Sequence, residues 1–125
     1  MAKQLLIYER AVPVSRQSHG DLSVKTGNNF ALAREVNSVP LMAAEFSNAA
    51  AEYAVVFAGE GENIIPVVLL GVRDGENLYV NEDGSWAGRY VPAFLRRYPF
   101  VFSSTDDGAN FTLCVDEEFE GCNRK

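Results

Sequence analysis

Downstream of Pro40 the chain carries apolar residues at Met42, Phe46, Ala49, Ala50 and Tyr53. The spacing is i, i+4, i+7, i+8 and i+11, the stripe of an amphipathic helix whose first turn suits a proline. Glu45, Asn48 and Glu52 fall largely on the other side, where a solvated face is the default reading. The pattern then changes to short apolar runs broken by glycine-bearing turns: "YAVVF", "AGEGEN", "IIPVVLLGV", "RDGEN", "LYV", "NEDGS". By turn chemistry this predicts a three-strand meander. A similar order recurs. Val39-Pro40, a helix and "YAVVF" are answered by Val91-Pro92, a shorter helix and "YPFVF", and each is followed by a turn and an apolar strand, "FTLCV" in the second case. The expectation is an α+β fold, an antiparallel sheet with two helices arranged as two αββ units, with Met42, Phe46 and Tyr53 packed on the sheet. The first unit runs on into a third strand, whereas the second stops at "DEEFEGCNRK".

A chain of 125 residues is read as one domain, 1–125, able to bury roughly 65% of the surface its unfolded form exposes. The longest apolar run, Ile64 to Val72, contains Pro66 and is far short of the roughly 20 residues that span a bilayer, so no membrane insertion is expected. In "MAKQLLIYERAVPV" the apolar patch before Tyr8 is too short for a secretory leader, which points to a cytoplasmic location. Cys114 and Cys122 lack metal-ligand spacing and the chain has one histidine, so two buried or free thiols are expected, with no metal and no cofactor. Without a leader, the Asn110-Phe111-Thr112 sequon has no compartment in which to act.

Charge is unevenly spread within a formal total of −6. Residues 41 to 85 carry one base, Arg73, against eight acids, and the tail from Ser103 carries two bases against six acids. Between them, "WAGRYVPAFLRRYPFVF" (Trp86 to Phe102) holds Arg89, Arg96 and Arg97 and no acid. At about 100° per residue, a helix from Pro92 to Tyr98 puts Phe94, Leu95 and Tyr98 on one face and Ala93, Arg96 and Arg97 on the other. Two readings stand. In one, the aromatics are core and the arginines are structural, near the helix carboxyl end and paired with acids such as Glu45 or Glu52. In the other, Arg96 or Arg97 clamps a carboxylate or phosphate bidentately, with Trp86 and Tyr90 as stacking walls and Arg89 and Tyr98 on the same surface. A nucleic-acid partner is not expected, because acidic blocks flanking the island would repel a continuous phosphate track.

Other motifs reduce to structure. His19 in "SHGD" could be imagined as a base with Ser18 and Asp21, but neighbours in an extended strand point apart, so a hydrogen-bonded structural histidine is preferred. "GEGEN" at 59 to 63 has glutamates where phosphate would lie and reads as a turn. "NEDGSW" at 81 to 86 lacks the spacing of a calcium loop and reads as a hairpin turn.

Three stretches, "VPLMAAEF" at 39 to 46, "LLGVRDGENLYV" at 69 to 80 and "WAGRYVPAFLRRYPFVF" at 86 to 102, together resemble the bacterial SapC family. That family is named for a gene associated with export of surface-layer proteins. The similarity extends from "VPVSRQSHGDLSV" at 12 to 24 through "CVDEE" at 114 to 118. Family members are longer, so the chain is read as an amino-terminal portion. The resemblance supplies no catalytic residues to carry over. It implies a role in export or cell-envelope processes of a Gram-negative-type bacterium. The expectation, in the absence of a recognisable catalytic set, is a non-enzymatic module that binds a protein or peptide partner in surface-protein export or modification. The alternatives are an enzyme subunit acting on such proteins and a small-ligand sensor. The candidate binding residues are Trp86, Arg89, Tyr90, Arg96, Arg97 and Tyr98.

Overall fold

The computed structural model describes residues 7–124. In chain order the elements are β1 (Ala11–Pro13), α1 (Arg16–His19), β2 (Leu22–Val24), β3 (Ser38–Pro40), α2 (Phe46–Ala50) and β4 (Ala54–Ala58). They continue with β5 (Ile65–Leu69), α3 (Ala93–Arg96), β6 (Phe100–Ser103), β7 (Thr112–Asp116) and β8 (Cys122–Arg124). The fold is α+β, and every strand pair among the described residues is antiparallel. The order α2–β4–β5 and then α3–β6–β7 reproduces the repeated αββ grammar. The chain forms two compact units, a terminal one (1–27 with 97–125) and an inner one (28–96).

In the inner unit β5 is the middle strand of the order β3-β5-β4. Val39, Val68 and Val55 lie opposite one another across the three strands, and the central Val68 is fully buried. Leu41, Ala49, Tyr53, Leu70, Phe94 and Leu95 are among the other buried residues of this core. Fully burying Leu70 or Leu95 contributes about 1.5–3 kcal/mol each. The glycines of "GEGEN" turn the chain between β4 and β5, Gly59 and Gly61 both having positive φ, a region open to glycine at little cost.

The terminal unit holds a sheet of order β1-β7-β6 and a separate ribbon of β2 with β8. Its central strand β7 buries Cys114, Val115 and Asp116 beside Ile7, Tyr8 and Val101. Cys114 and Cys122 are both free thiols.

Four local expectations are corrected. One sheet was expected and three small ones are present. The predicted helix over 41–53 is a 3₁₀ turn at Ala43–Glu45 followed by α2, which ends at Ala50. Tyr53 and Ala49 are buried, Phe46 is half-buried, and Met42 is 68% exposed. At the amino end Glu45 turns inward to accept the Met42 N–H at 2.9 Å, which closes the first turn as 3₁₀. "LYV" forms no strand; only a single bridge joins Val80 to Trp86 across the turn at 81 to 85. Asn77 diverts that segment: it accepts the Tyr79 N–H at 2.9 Å and donates to the Ala33 carbonyl at 3.0 Å. The second side of β5 is filled by β3 instead. Finally, the carboxy-terminal stretch does form a strand, β8, but pairs it with β2.

No helix among the described residues is long and apolar enough to cross a membrane. The leader reading at residues 1–6 lies outside the described residues.

Candidate functional site

The six candidate residues divide between the units: Trp86, Arg89, Tyr90 and Arg96 belong to the inner one, Arg97 and Tyr98 to the terminal one. The inner four lie on a segment held by two carboxylates that were expected to face solvent. Glu52, just past α2, accepts the backbone N–H groups of Arg89 and Tyr90, each at 2.7 Å. Two consecutive amides on one carboxylate make a charge-assisted clamp on the main chain.

Glu45 is the second anchor. It is 7% exposed, and its Oε1 accepts the Tyr90 hydroxyl at 2.6 Å and the Ala93 N–H at 2.8 Å, while Oε2 takes the Met42 N–H. Burial pushes the Glu45 carboxyl up, but these three donors and the nearby Arg96 charge outweigh it, and the net displacement is downward. The Tyr90 hydroxyl moves the other way, raised by burial and by donation to Glu45.

Aromatic groups pack the inside of the segment. Trp86 Nε1–H donates to the Tyr53 hydroxyl oxygen at 2.8 Å and to the Tyr90 carbonyl at 3.2 Å. The Tyr53 hydroxyl donates to the same carbonyl. Burial, with the neighbouring Glu52 charge adding to it, pushes the Tyr53 hydroxyl up to about 12 against the Trp86 hydrogen bond. The Trp86 ring stacks on Tyr79 at 5.8 Å and meets the edge of Phe30. Trp86 is therefore half-buried structure, with its one donor used internally. Gly88 is required by close approach: a Cβ there would lie 2.6 Å from the Tyr53 hydroxyl and 3.0 Å from Trp86 Nε1.

Neither Arg89 nor Arg96 is salt-bridged among the described residues. Among the described residues the ion pairs are Arg10 with Glu117 and Glu118, His19 with Glu117, and Arg124 with Asp21. Arg96 is exposed; its Nε–H donates to the Val91 carbonyl at 2.9 Å and Nη2 to the Tyr90 hydroxyl oxygen at 3.2 Å, with the guanidinium 5.4 Å from the Tyr90 ring centroid. Its hydrogen-bonded route to Glu45 runs through the Tyr90 hydroxyl. Arg89 is fixed by its main chain, and its exposed side chain has no hydrogen-bond or ionic partner among the described residues.

In the terminal unit Arg97 lies over the Tyr8 ring at 5.9 Å, a cation–π contact. Tyr98 donates to Asp116 at 2.9 Å and packs against Tyr8 and Phe119. Asp116, fully buried, also accepts the N–H groups of Glu9, Arg10 and Glu118. Burial raises its carboxyl but the donors prevail, so it sits below the ordinary range; the Tyr98 hydroxyl is pushed upward by burial and by Asp116.

His19 lies in the short helix α1 rather than in an extended strand, and it is buried. Its Nδ1 accepts the Ser15 N–H at 3.0 Å, which leaves the proton on Nε2, 3.2 Å from Glu117. Asp21 pairs with Arg124 instead. Both ring nitrogens are thus engaged structurally. No group of three or more potential metal ligands occurs among the described residues.

Pattern reasoning missed Glu45, Glu52, Tyr53 and Asp116 as anchors. One signal was present for the first two. Two glutamates seven apart beside an apolar stripe face the same way as each other, a pairing that suits gripping a second segment as well as facing water.

The SapC family model matches residues 14–125. No curated protein and no solved structure matches the chain.

Proposed function

Because the chain belongs to the SapC family, we propose that it is a non-enzymatic module that binds a protein or peptide partner in bacterial surface-protein export or modification. The observation that carries this reading is Arg89. Its main chain is clamped by Glu52 while its guanidinium stands exposed without a partner among the described residues. A purely structural arginine would be expected to use its fork on a carboxylate of its own chain. Arg96, on the same segment, also meets no carboxylate directly and is oriented by Tyr90 and Val91. Fixing the Arg89 main chain and orienting the Arg96 guanidinium lowers the entropy lost on engaging a partner's carboxylate. Partner recognition then runs through acidic side chains or a terminal carboxylate docking on Arg89 and Arg96.

The test pairs melting curves with quantitative capture from native lysate, using Arg89→Ala, Arg96→Ala and Arg89→Lys. The reading expects unchanged melting and lost capture for Arg89→Ala, with poor rescue by lysine, whose point charge lacks the fork. Intact capture by both alanine variants refutes it.

A further inference from the structure

A second surface of the inner unit carries chemistry of opposite sign. β4 pairs with β5 alone. Among the described residues no other group bonds the main chain of Ala54–Ala58. Sheets commonly protect an edge with proline, charge or a bulge. The other edge of this sheet, β3, is three residues long and ends in Pro40, whereas β4 reads "AVVFA", with no proline, no charge and regular pairing throughout.

At the turn end of β4 the surface is apolar and acidic. Phe57 is 67% exposed, with Ile64 and Ile65 also exposed, and the register Ala58↔Ile65 brings them to one end of the hairpin. Glu60 and Glu62, in the turn between them, are exposed and their carboxylates have no partner among the described residues. The inner unit as a whole sets four arginines against nine acids.

We propose that the open edge of β4 accepts an extended segment of another polypeptide as an added strand. That segment presents apolar side chains at alternate positions and carries lysine or arginine at the end that meets Glu60 and Glu62. Main-chain hydrogen bonds supply sequence-tolerant affinity in such β-augmentation, and flanking side chains supply selectivity. Charge decides the occupant. A second copy of this chain would bring "AVVFA", which has no cation to answer the glutamates, and would double an acidic excess. A cationic apolar segment is complementary on both counts. This surface is distinct from the arginine loop and takes a ligand of the opposite charge.

The experiment uses the full chain and a labelled synthetic peptide of alternating valine and threonine with two lysines at one end, followed by fluorescence anisotropy. Controls are the same peptide with glutamates for lysines and one N-methylated at alternate residues. Saturable binding of the lysine peptide is expected. It should weaken by at least about tenfold in Glu60→Lys/Glu62→Lys, which should in turn prefer the glutamate peptide. N-methylation should abolish binding, Phe57→Ser should weaken it, and Arg89→Ala should leave it unchanged. Binding indifferent to peptide charge or to N-methylation overturns the proposal. So does loss of binding in Arg89→Ala, or sedimentation showing that the chain dimerises through this edge in place of taking the peptide.

Discussion

Replacing Glu45 with alanine removes the acceptor for three donors at once: the Tyr90 hydroxyl at 2.6 Å, the Ala93 N–H at 2.8 Å and the Met42 N–H at 2.9 Å. All three bonds lie in part-buried positions. At roughly 1–3 kcal/mol for each donor left unsatisfied, the loss comes to about 3 kcal/mol. Trp86 is the one tryptophan in the chain and packs against the anchored segment, so its fluorescence reports this cluster. With a urea slope of about 1–2 kcal/mol per molar, the midpoint followed by Trp86 should fall by roughly 1.5–3 M. Glu45→Gln keeps an acceptor for Tyr90 and Ala93 but turns an amide against the Met42 N–H, and should cost about 1 kcal/mol. The pH dependence has a defined sign. The folded carboxyl lies below its ordinary value, so its contribution is fully present above the ordinary carboxylate range and is lost as pH falls through the folded value. The gap between wild type and Glu45→Gln should therefore close on acidification. An unfolding free energy for Glu45→Ala within about 0.5 kcal/mol of wild type, or a gap that does not change with pH, would refute the reasoning.

In the terminal unit, Asp116→Ala should cost about 3 kcal/mol or more by stranding the Tyr98 hydroxyl and the Glu9, Arg10 and Glu118 amides, read by hydrogen exchange at β1 and β7. Gly88→Ala should cost about 1–3 kcal/mol and shift Trp86 emission, since the added Cβ collides with the Tyr53 hydroxyl and Trp86 Nε1. The Tyr53 hydroxyl, pushed up to about 12, contributes stability that is present below the unfolded tyrosine range and falls as pH rises towards the folded value; Tyr53→Phe should flatten that alkaline decline in denaturation midpoints.

Elements built on local rules were legible. The hairpins β4–β5 and β6–β7 followed from apolar runs and glycine turns, and the recurrence of Val-Pro before each helix marked the αββ order. The α+β class followed with them. The start of α2 was not legible, because the apolar stripe from 42 to 53 does not reveal that Glu45 accepts the Met42 N–H and closes a 3₁₀ turn before the helix. β3 and β8 were missed because each is three residues long and gains its identity from a distant partner, Val67–Leu69 for one and Leu22–Val24 for the other. At the candidate site, the sequence located the arginine island but assigned its acids to the wrong atoms. Glu45 and Glu52 do answer that segment, through its amides and the Tyr90 hydroxyl in place of the guanidinium groups. Main-chain acceptance leaves no trace in residue type, so charge pairing was the only inference open to pattern reasoning.

The central claim is that two carboxylates hold the segment around Arg89 by its main chain so that the guanidinium is free for a partner. The most direct measurement is the pair of melting temperature and partner capture for Arg89→Ala. The account predicts a melting temperature within about 1–2 °C of wild type, as for a surface substitution that removes no internal contact, together with loss of capture. A large fall in melting temperature with capture intact would contradict it.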